Sequence, residues 1–321
     1  MSSISSVNER TKANNPNKLN FSKQEKVDMM NDIMTQNVIE IKNLVKHYKG
    51  FSLNNISFSV PMGSIMGFVG ENGAGKTTTI KAILDLIHVD QGEVSIMGTA
   101  AKNLSKELKS LIGVVFDGSN LHDNLTVVNI NAIMKKIYPN WDEEVYKSYL
   151  KKFQLPEGKI IKDFSRGMKM KLSITIALSH HSKLLILDEA TSGLDPIIRD
   201  EILDIFLEFI QDEEHTILLS SHIISDIEKI ADYVTFIHQG NIVFSKSKDE
   251  LIYQHGVIRC RKEDVSAIDK SYIVGIRENN FGAEVMIQDK DRFTRKNHEF
   301  NVERTSIEEI MLFITRGKEL K

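Results

Sequence analysis

One cysteine, Cys260, stands among 321 residues, which excludes an intrachain disulfide framework and any cysteine-cluster metal site. No stretch approaches the roughly 18 consecutive apolar residues of a spanning helix, so the chain is not expected to cross a bilayer by itself. A basic-then-apolar secretory leader is also missing, which gives the expectation of a cytoplasmic chain. Nor is there an excess of positive charge. Lys and Arg number 41 against 44 Asp and Glu, a formal net charge of −3. That balance speaks against a nucleic-acid protein that binds mainly through positive charge, and no nucleic-acid partner is expected. What is present looks ordinary for a globular protein. With 41% apolar and 26% charged residues, 18 Gly and 5 Pro, the chain can bury a sizeable core, in one large domain plus a smaller one or in two modest ones.

Residues 1–37 are rich in Ser and Asn and poor in large apolar residues, as in segments too polar to fold alone. They are expected to form a disordered leader, or to reflect a start codon placed too early, since Met34 directly precedes the first strand-like run. Val27, Met30 and Met34 sit at helical spacing, a weak pattern for a short helix near 21–34. From Val38 the chain becomes regular. Val38–Leu44 and Ser52–Val60 alternate like half-buried strands, and Ser64–Gly70 reads as a central strand feeding a Gly-rich turn and a helix over Lys76–His88. Gly92–Met97, Ile112–Phe116, Leu184–Leu187 and Thr216–Ser220 read as further strands. Helices are expected over Asp142–Phe153 (with Val145, Tyr149, Leu150 and Phe153 on one face), Arg166–Ser179 and Ile197–Gln211. Tyr233–Ser245, broken at Gln239-Gly240-Asn241, reads as a hairpin. Strands alternating with helices imply a layered α/β domain. Beyond about residue 253 the rhythm changes. Tyr272–Arg277 and Ala283–Gln288 suggest another hairpin. Ser306 to Glu309 is a capping box opening a helix with Ile307, Ile310, Met311 and Ile314 on one face and Gly317 at its end. This last region is expected to be a small α+β appendix.

Gly70-Glu71-Asn72-Gly73-Ala74-Gly75-Lys76-Thr77 fits G-x-x-x-x-G-K-[ST]. The glycines let the backbone curl so that successive N–H groups point at phosphate oxygens, an anion nest at a helix N-terminus. Lys76 would reach the β- and γ-phosphates, the Thr77 hydroxyl would take a Mg²⁺ position, and Thr78 continues the cradle. Downstream, Leu184 to Leu187 are four apolar residues that end at Asp188-Glu189. A buried strand stopping at an acidic pair delivers fixed negative charge to a metal at the sheet's edge. Asp188 is expected to hold Mg²⁺, directly or through water, and Glu189 to act as base toward the attacking water.

With these motifs, residues 38–252 resemble the ATP-binding cassette (ABC) ATPases, and in particular the bacterial ATPases of ABC-2 type exporters. The resemblance implies a P-loop NTPase fold: a mixed RecA-like core, an antiparallel β-subdomain and a helical subdomain over about 117–180. Further roles are carried over from it. Tyr48 matches the aromatic that stacks on adenine. Ser165-Arg166-Gly167-Met168 stands at the signature, so that Ser165 and Gly167 would face a γ-phosphate. Ser192 to Asp195 match the D-loop, and His222 matches the switch histidine. Asp117 stands where the family has a glutamine that senses the γ-phosphate; whether it contacts Mg²⁺ directly, through water or not at all stays open. Arg166 replaces a signature glycine, Met168 a glutamine, and Ala190 the proline after the catalytic glutamate. His180-His181 are expected to be helix-end surface.

In this family one subunit cannot finish the active site, so the resemblance implies a head-to-tail dimer around two ATP, with an identical or paralogous copy. Catalysis would rest on Lys76, Glu189 and His222, with ATP and Mg²⁺ as ligands. The partner would be a polytopic membrane permease, which would hold the chain at the cytoplasmic face of the membrane and carry the exported cargo. The alternative is a soluble cassette ATPase acting in cofactor assembly or on ribosomes or DNA. Translation-factor relatives carry two cassettes and DNA-repair relatives a long coiled coil between the Walker motifs, whereas this chain has one cassette and no room for the coil.

Overall fold

The computed structural model describes residues 37–118 and 121–317. Residues 1–36 of the expected leader, with the helical pattern near 21–34, lie outside these residues, and Asn37 already belongs to the first strand.

The first sheet is antiparallel. Strands β1 (Asn37–Tyr48) and β2 (Phe51–Pro61) form a hairpin, and β4 (Gln91–Ile96) and β5 (Thr99–Ala100) complete the order β2-β1-β4-β5. The alternation foreseen in β2 buries Ile56, Phe58 and Val60 on one face, and Leu53, across a register shift at Asn55, joins the same core.

The second sheet is the core of the molecule. Five parallel strands, β3 (Ile65–Val69), β6 (Ile112–Val115), β7 (Leu184–Asp188), β8 (Thr216–Ser221) and β9 (Tyr233–His238), stand in the order β9-β3-β8-β7-β6. The antiparallel β10 (Asn241–Ser247) closes one edge. Every residue of β3, β7 and β8 is buried, as expected for strands covered on both faces. Register matters most here. Val69 pairs with Ser221, and Asp188 pairs with Ser220, so the strands carrying the glycine-rich turn, the acidic pair and His222 end side by side. Open parallel sheets bind their ligands at this carboxyl edge.

Between β6 and β7 lies a helical layer made of Val127–Ile137, Glu143–Lys152 and Arg166–Leu178. The first of these helices had no sequence counterpart. It begins at a capping box in which Thr126 and Asn129 satisfy each other's backbone N–H groups. The second begins at Asp142, whose carboxylate accepts from the N–H groups of Glu144 and Val145. Its buried face carries Tyr146, Leu150 and Phe153, so the stripe is rotated from the one expected: Tyr146 replaces Val145 at its centre. Tyr146 can be buried because its hydroxyl donates to the Val127 carbonyl at 2.9 Å.

The expected helices are shorter in the structure, one of them by more than a residue or two at an end. The helix after the glycine-rich turn stops at Ile83, where Leu84 leaves helical geometry and Asp85 turns left-handed, and the one expected over Ile197–Gln211 runs Pro196–Phe209. Gln239 and Gly240, both at positive φ, make the turn between β9 and β10. A side chain at position 240 would fall 1.8 Å from the Ser52 carbonyl, so only glycine fits. Its own N–H and C=O bond to the Ala74 carbonyl and the Asn54 N–H, which ties the glycine-rich turn to the first sheet.

The third sheet is antiparallel, in the order β12 (Ile273–Glu278), β13 (Ala283–Ile287), β11 (Gly256–Cys260), β14 (Val302–Glu303). The closing helix Ile307–Arg316 has the expected reciprocal box between Ser306 and Glu309. Gly317 ends it at φ −65, without a left-handed turn.

Candidate functional site

The turn after β3 curls around a lysine. Gly73 and Gly75 adopt left-handed backbone, and Lys76, 5% exposed, turns its ammonium back into the loop. Its Nζ donates to the carbonyls of Gly70 and Glu71 at 2.7 and 3.3 Å and pairs with Glu189 Oε1 at 3.0 Å. The loop thus closes around a cation held where it can be handed to an anion. Glu71, Asn72, Gly73 and Thr77 are exposed, Thr78 is half-buried and Ala74 is buried. A side chain at Gly75 would come within 2.9 Å of the Phe51 ring. Phe51 faces Tyr48 across the β1–β2 hairpin, which puts the half-exposed Tyr48 at the rim of the same loop.

The acidic pair divides its tasks. Asp188 ends β7, is 2% exposed, and accepts a hydrogen bond from Ser220 Oγ at 2.6 Å. Glu189 lies just past the strand in left-handed backbone, φ 54, where a non-glycine residue is strained and must be held from outside. It is held: its N–H donates to Ser220 O and Oγ at 3.1 and 3.2 Å. Its carboxylate is clamped between Lys76 and His222, whose Nδ1 lies 2.6 Å from Oε2. Ser220 therefore fixes both acids at once. In the sequence Ser220 is only the last residue of an expected strand; the register of β8 against β7 gives it its task.

A second cluster forms around the start of the helix Arg166–Leu178. Ser165 caps that helix, its Oγ accepting from the Met168 N–H at 3.2 Å. A side chain at Gly167 would meet Ile198 at 2.8 Å. Asp195 caps the neighbouring helix by accepting from Ile198 N–H at 3.1 Å. Asp117 does not reach the Lys76 cluster by any direct bond; its carboxylate pairs with Arg166 at 2.7 Å. The two clusters are joined by the loop 189–195, which folds back where Ser192 N–H meets the Glu189 carbonyl at 3.1 Å.

His180 corrects an expectation. It is 1% exposed, stacks on Tyr138 with ring centroids 4.1 Å apart, and hydrogen-bonds the Ser110 carbonyl through Nδ1. Burial pushes its pKa below the usual imidazole range. Only His181 is surface, within 3.2 Å of Asp142. Adjacent helix-end residues face different ways, and here one faces the core.

A parallel sheet whose carboxyl edge carries a lysine-filled glycine loop, a buried aspartate and a glutamate–histidine pair defines a P-loop nucleoside triphosphatase of mixed α/β architecture. The family described as ABC transporter matches residues 53–192. The chain is 36% identical, over 67% of its length and 70% of the relative's, to the bacitracin transport ATP-binding protein BcrA of Enterococcus faecalis. It is 35% identical, over 66% of its length and 92% of the relative's, to the lantibiotic transport ATP-binding protein SrtF of Streptococcus pyogenes. A solved ATP-binding subunit of an ABC transporter superposes with a TM-score of 0.60 at 27% identity, over 67% of this chain and 92% of that one. A dimeric post-hydrolysis cassette bound to ADP and Pi shares the fold, with a TM-score of 0.58 at 21% identity over 65% of this chain and 98% of its own. The chain belongs to the ATP-binding subunits of ABC transporters, and it is an ATPase.

Proposed function

We propose that this chain energises an exporter, through two cassettes that close head-to-tail over two ATP and a separate membrane permease that carries the cargo. The observation that supports this reading most is the contact set Lys76–Glu189–His222, which runs from the buried lysine to the exposed histidine beside Asp188 and Ser220 at one sheet edge. Among the described residues no helix is long and apolar enough to cross a membrane, so the pathway would come from the partner. The transport names of the relatives support export over the soluble alternative. In this reading the chain sits peripherally at the cytoplasmic face of the membrane.

The residues suit Mg²⁺. Asp188 is a buried carboxylate with one hydroxyl partner, and Thr77 stands exposed at the opening of the helix after the glycine-rich loop. Among the described residues there is no cluster of three or more acidic, His or Cys side chains that would hold a metal unaided, which fits an ion held by one carboxylate, a hydroxyl and the substrate's own phosphates. When bound, Mg²⁺ would offset charge on the phosphates.

In the proposed cycle the triphosphate takes the N–H groups of residues 70–77 and draws Lys76 from Glu189. Tyr48 lies against the base. Glu189, freed from its lysine, accepts a proton from the attacking water, while His222 holds its carboxylate in place. Ser165 and the helix it caps offer a hydroxyl and N–H groups to the ATP of the second cassette, and Asp195 steadies the loop between them. We further propose the division into a leader (1–37), a cassette (38–252, with its helical part at about 117–180) and an accessory region (253–321). Purification from membranes tests the partner. A polytopic membrane protein should co-elute, and a ribosome or soluble scaffold in its place would favour the alternative.

A further inference from the structure

We infer that Arg166 is a positioning residue, paired with Asp117 as a breakable tie that neutralises this carboxylate at the edge of the nucleotide site. The inference rests on the proposed site and adds a residue to it.

The geometry comes from three segments. Asp117 follows β6, the neighbour of β7, and so stands at the same carboxyl edge as Asp188 and Glu189. Arg166 opens the helix capped by Ser165 and reaches Asp117 at 2.7 Å. The guanidinium also lies over Gly193, close enough that a side chain there would come within 2.5 Å of it. The arginine therefore touches the loop after β6 and the loop after β7 from the start of a third element. Lys169, one turn on, is already paired with Asp123 at 3.3 Å, which leaves Arg166 as the cation serving Asp117.

The two residues are each other's explanation. An ionised carboxylate at this edge repels an incoming triphosphate, and a guanidinium at a tight helix start lacks compensation without an acid. Together they cancel. Both side chains are about half exposed, 50% and 52%, so the pair contributes little to stability. A tie of that strength can open when the site fills, and its disruption should change ATP binding before it changes folding.

The test is a set of variants in the full-length chain: Arg166→Met, Asp117→Asn, the double variant, and the charge swap Asp117→Arg with Arg166→Asp. Arg166→Met should raise the KM for ATP by up to about fivefold, the ceiling for a half-exposed pair, with kcat changed less and thermal midpoint unchanged. Adding Asp117→Asn should return KM toward wild type, and the charge swap should be closer to wild type than Asp117→Arg alone. Independent, multiplying effects of the two single variants would overturn the inference, as would an unaltered KM in Arg166→Met. Lys76→Ala is measured alongside. If it too leaves KM unaltered, it is the nucleotide site that has been misread, and not the pair alone.

Discussion

Replacing Glu189 by glutamine should separate ATP binding from turnover, because this side chain touches both Lys76 and His222, at 3.0 and 2.6 Å. Glutamine keeps the volume and an oxygen for Lys76, whose ammonium also holds the carbonyls of Gly70 and Glu71. The loss in stability is therefore expected near 1–2 kcal/mol, short of the roughly 3–5 kcal/mol of a wholly stranded buried charge. Affinity should move the other way. A phosphate must compete with Glu189 for the lysine, and the competing charge-assisted bond is worth about 1.5–3 kcal/mol. Part of that is recovered when the competitor turns neutral, so ATP should bind as tightly as before or up to about tenfold more tightly. Turnover loses its proton acceptor, a role worth about 10²–10⁴ in rate. Calorimetry reads the affinity, phosphate release the rate, and gel filtration the ATP-trapped dimer. Retained binding with a rate within about threefold of wild type would falsify the assignment of Glu189 as base.

Lys76→Ala removes the cation from the loop and strands Glu189, so calorimetry should show weakened ATP binding; an unchanged affinity would mean that the loop does not cradle phosphate. Ser165→Ala in both copies should cost about 1 kcal/mol as a lost helix cap and slow hydrolysis more than it weakens binding, and an unaffected rate would make the altered signature idle. His180→Gln tests the buried imidazole. Its pKa is lowered by burial, so between that value and the unfolded value of 6.5 the unfolded chain binds more protons and stability falls as pH falls. The variant should be less stable near neutrality, having lost the stack on Tyr138, yet its denaturation midpoint should fall less on acidification. His255, also lowered by burial, remains as a shared background. Equal acid slopes in the two proteins would reject the role of His180.

The parallel core was legible because its signals are local and redundant. Four apolar residues ending in two acids, and a glycine octet between strand and helix, allow few alternatives. The site's second tier was not legible, because it depends on register. Nothing in the sequence around Ser220 says that it will stand opposite Asp188; the pairing of β8 with β7 does. The same holds for Tyr146, whose polar hydroxyl hid a core residue until Val127 supplied an acceptor, and for His180, whose burial needs the Ser110 carbonyl from a distant loop. The helix Val127–Ile137 was missed for a related reason. Among its residues only Val127 and Ile130 are buried, and the exposed Val128, Ile133 and Ile137 blur the stripe that marks a helix. Asp117 and Arg166 were each noticed as departures from a pattern, but a departure read singly conceals a pair.

The closing region is less of an appendix than its change of rhythm suggests. Its sheet has two faces with different owners. Ile258, Val285 and Ile287 pack with Ile268, Tyr272, Ile276 and Phe293 in a small core of their own. Val257 and Met286, on the same strands but pointing the other way, join the main core together with Ile307, Ile310, Met311 and Phe313 of the closing helix. That helix is also held by charge. Its first N–H groups, at Ile307 and Glu308, donate to Glu228 Oε1 at 2.7 and 3.4 Å, a cap supplied from another helix. Glu228 belongs to the segment Ile224–Ile230 that follows His222, and Ile227 of that segment packs on Gly67 of β3, the strand leading into the glycine-rich loop. A cavity of about 280 Å³ lies between that loop, His222 and the residues Glu308, Met311, Leu312 and Thr315 of the closing helix. The last helix is thus bonded to the element that follows His222, and a displacement of one is passed to the other, because packed interiors transmit strain instead of absorbing it.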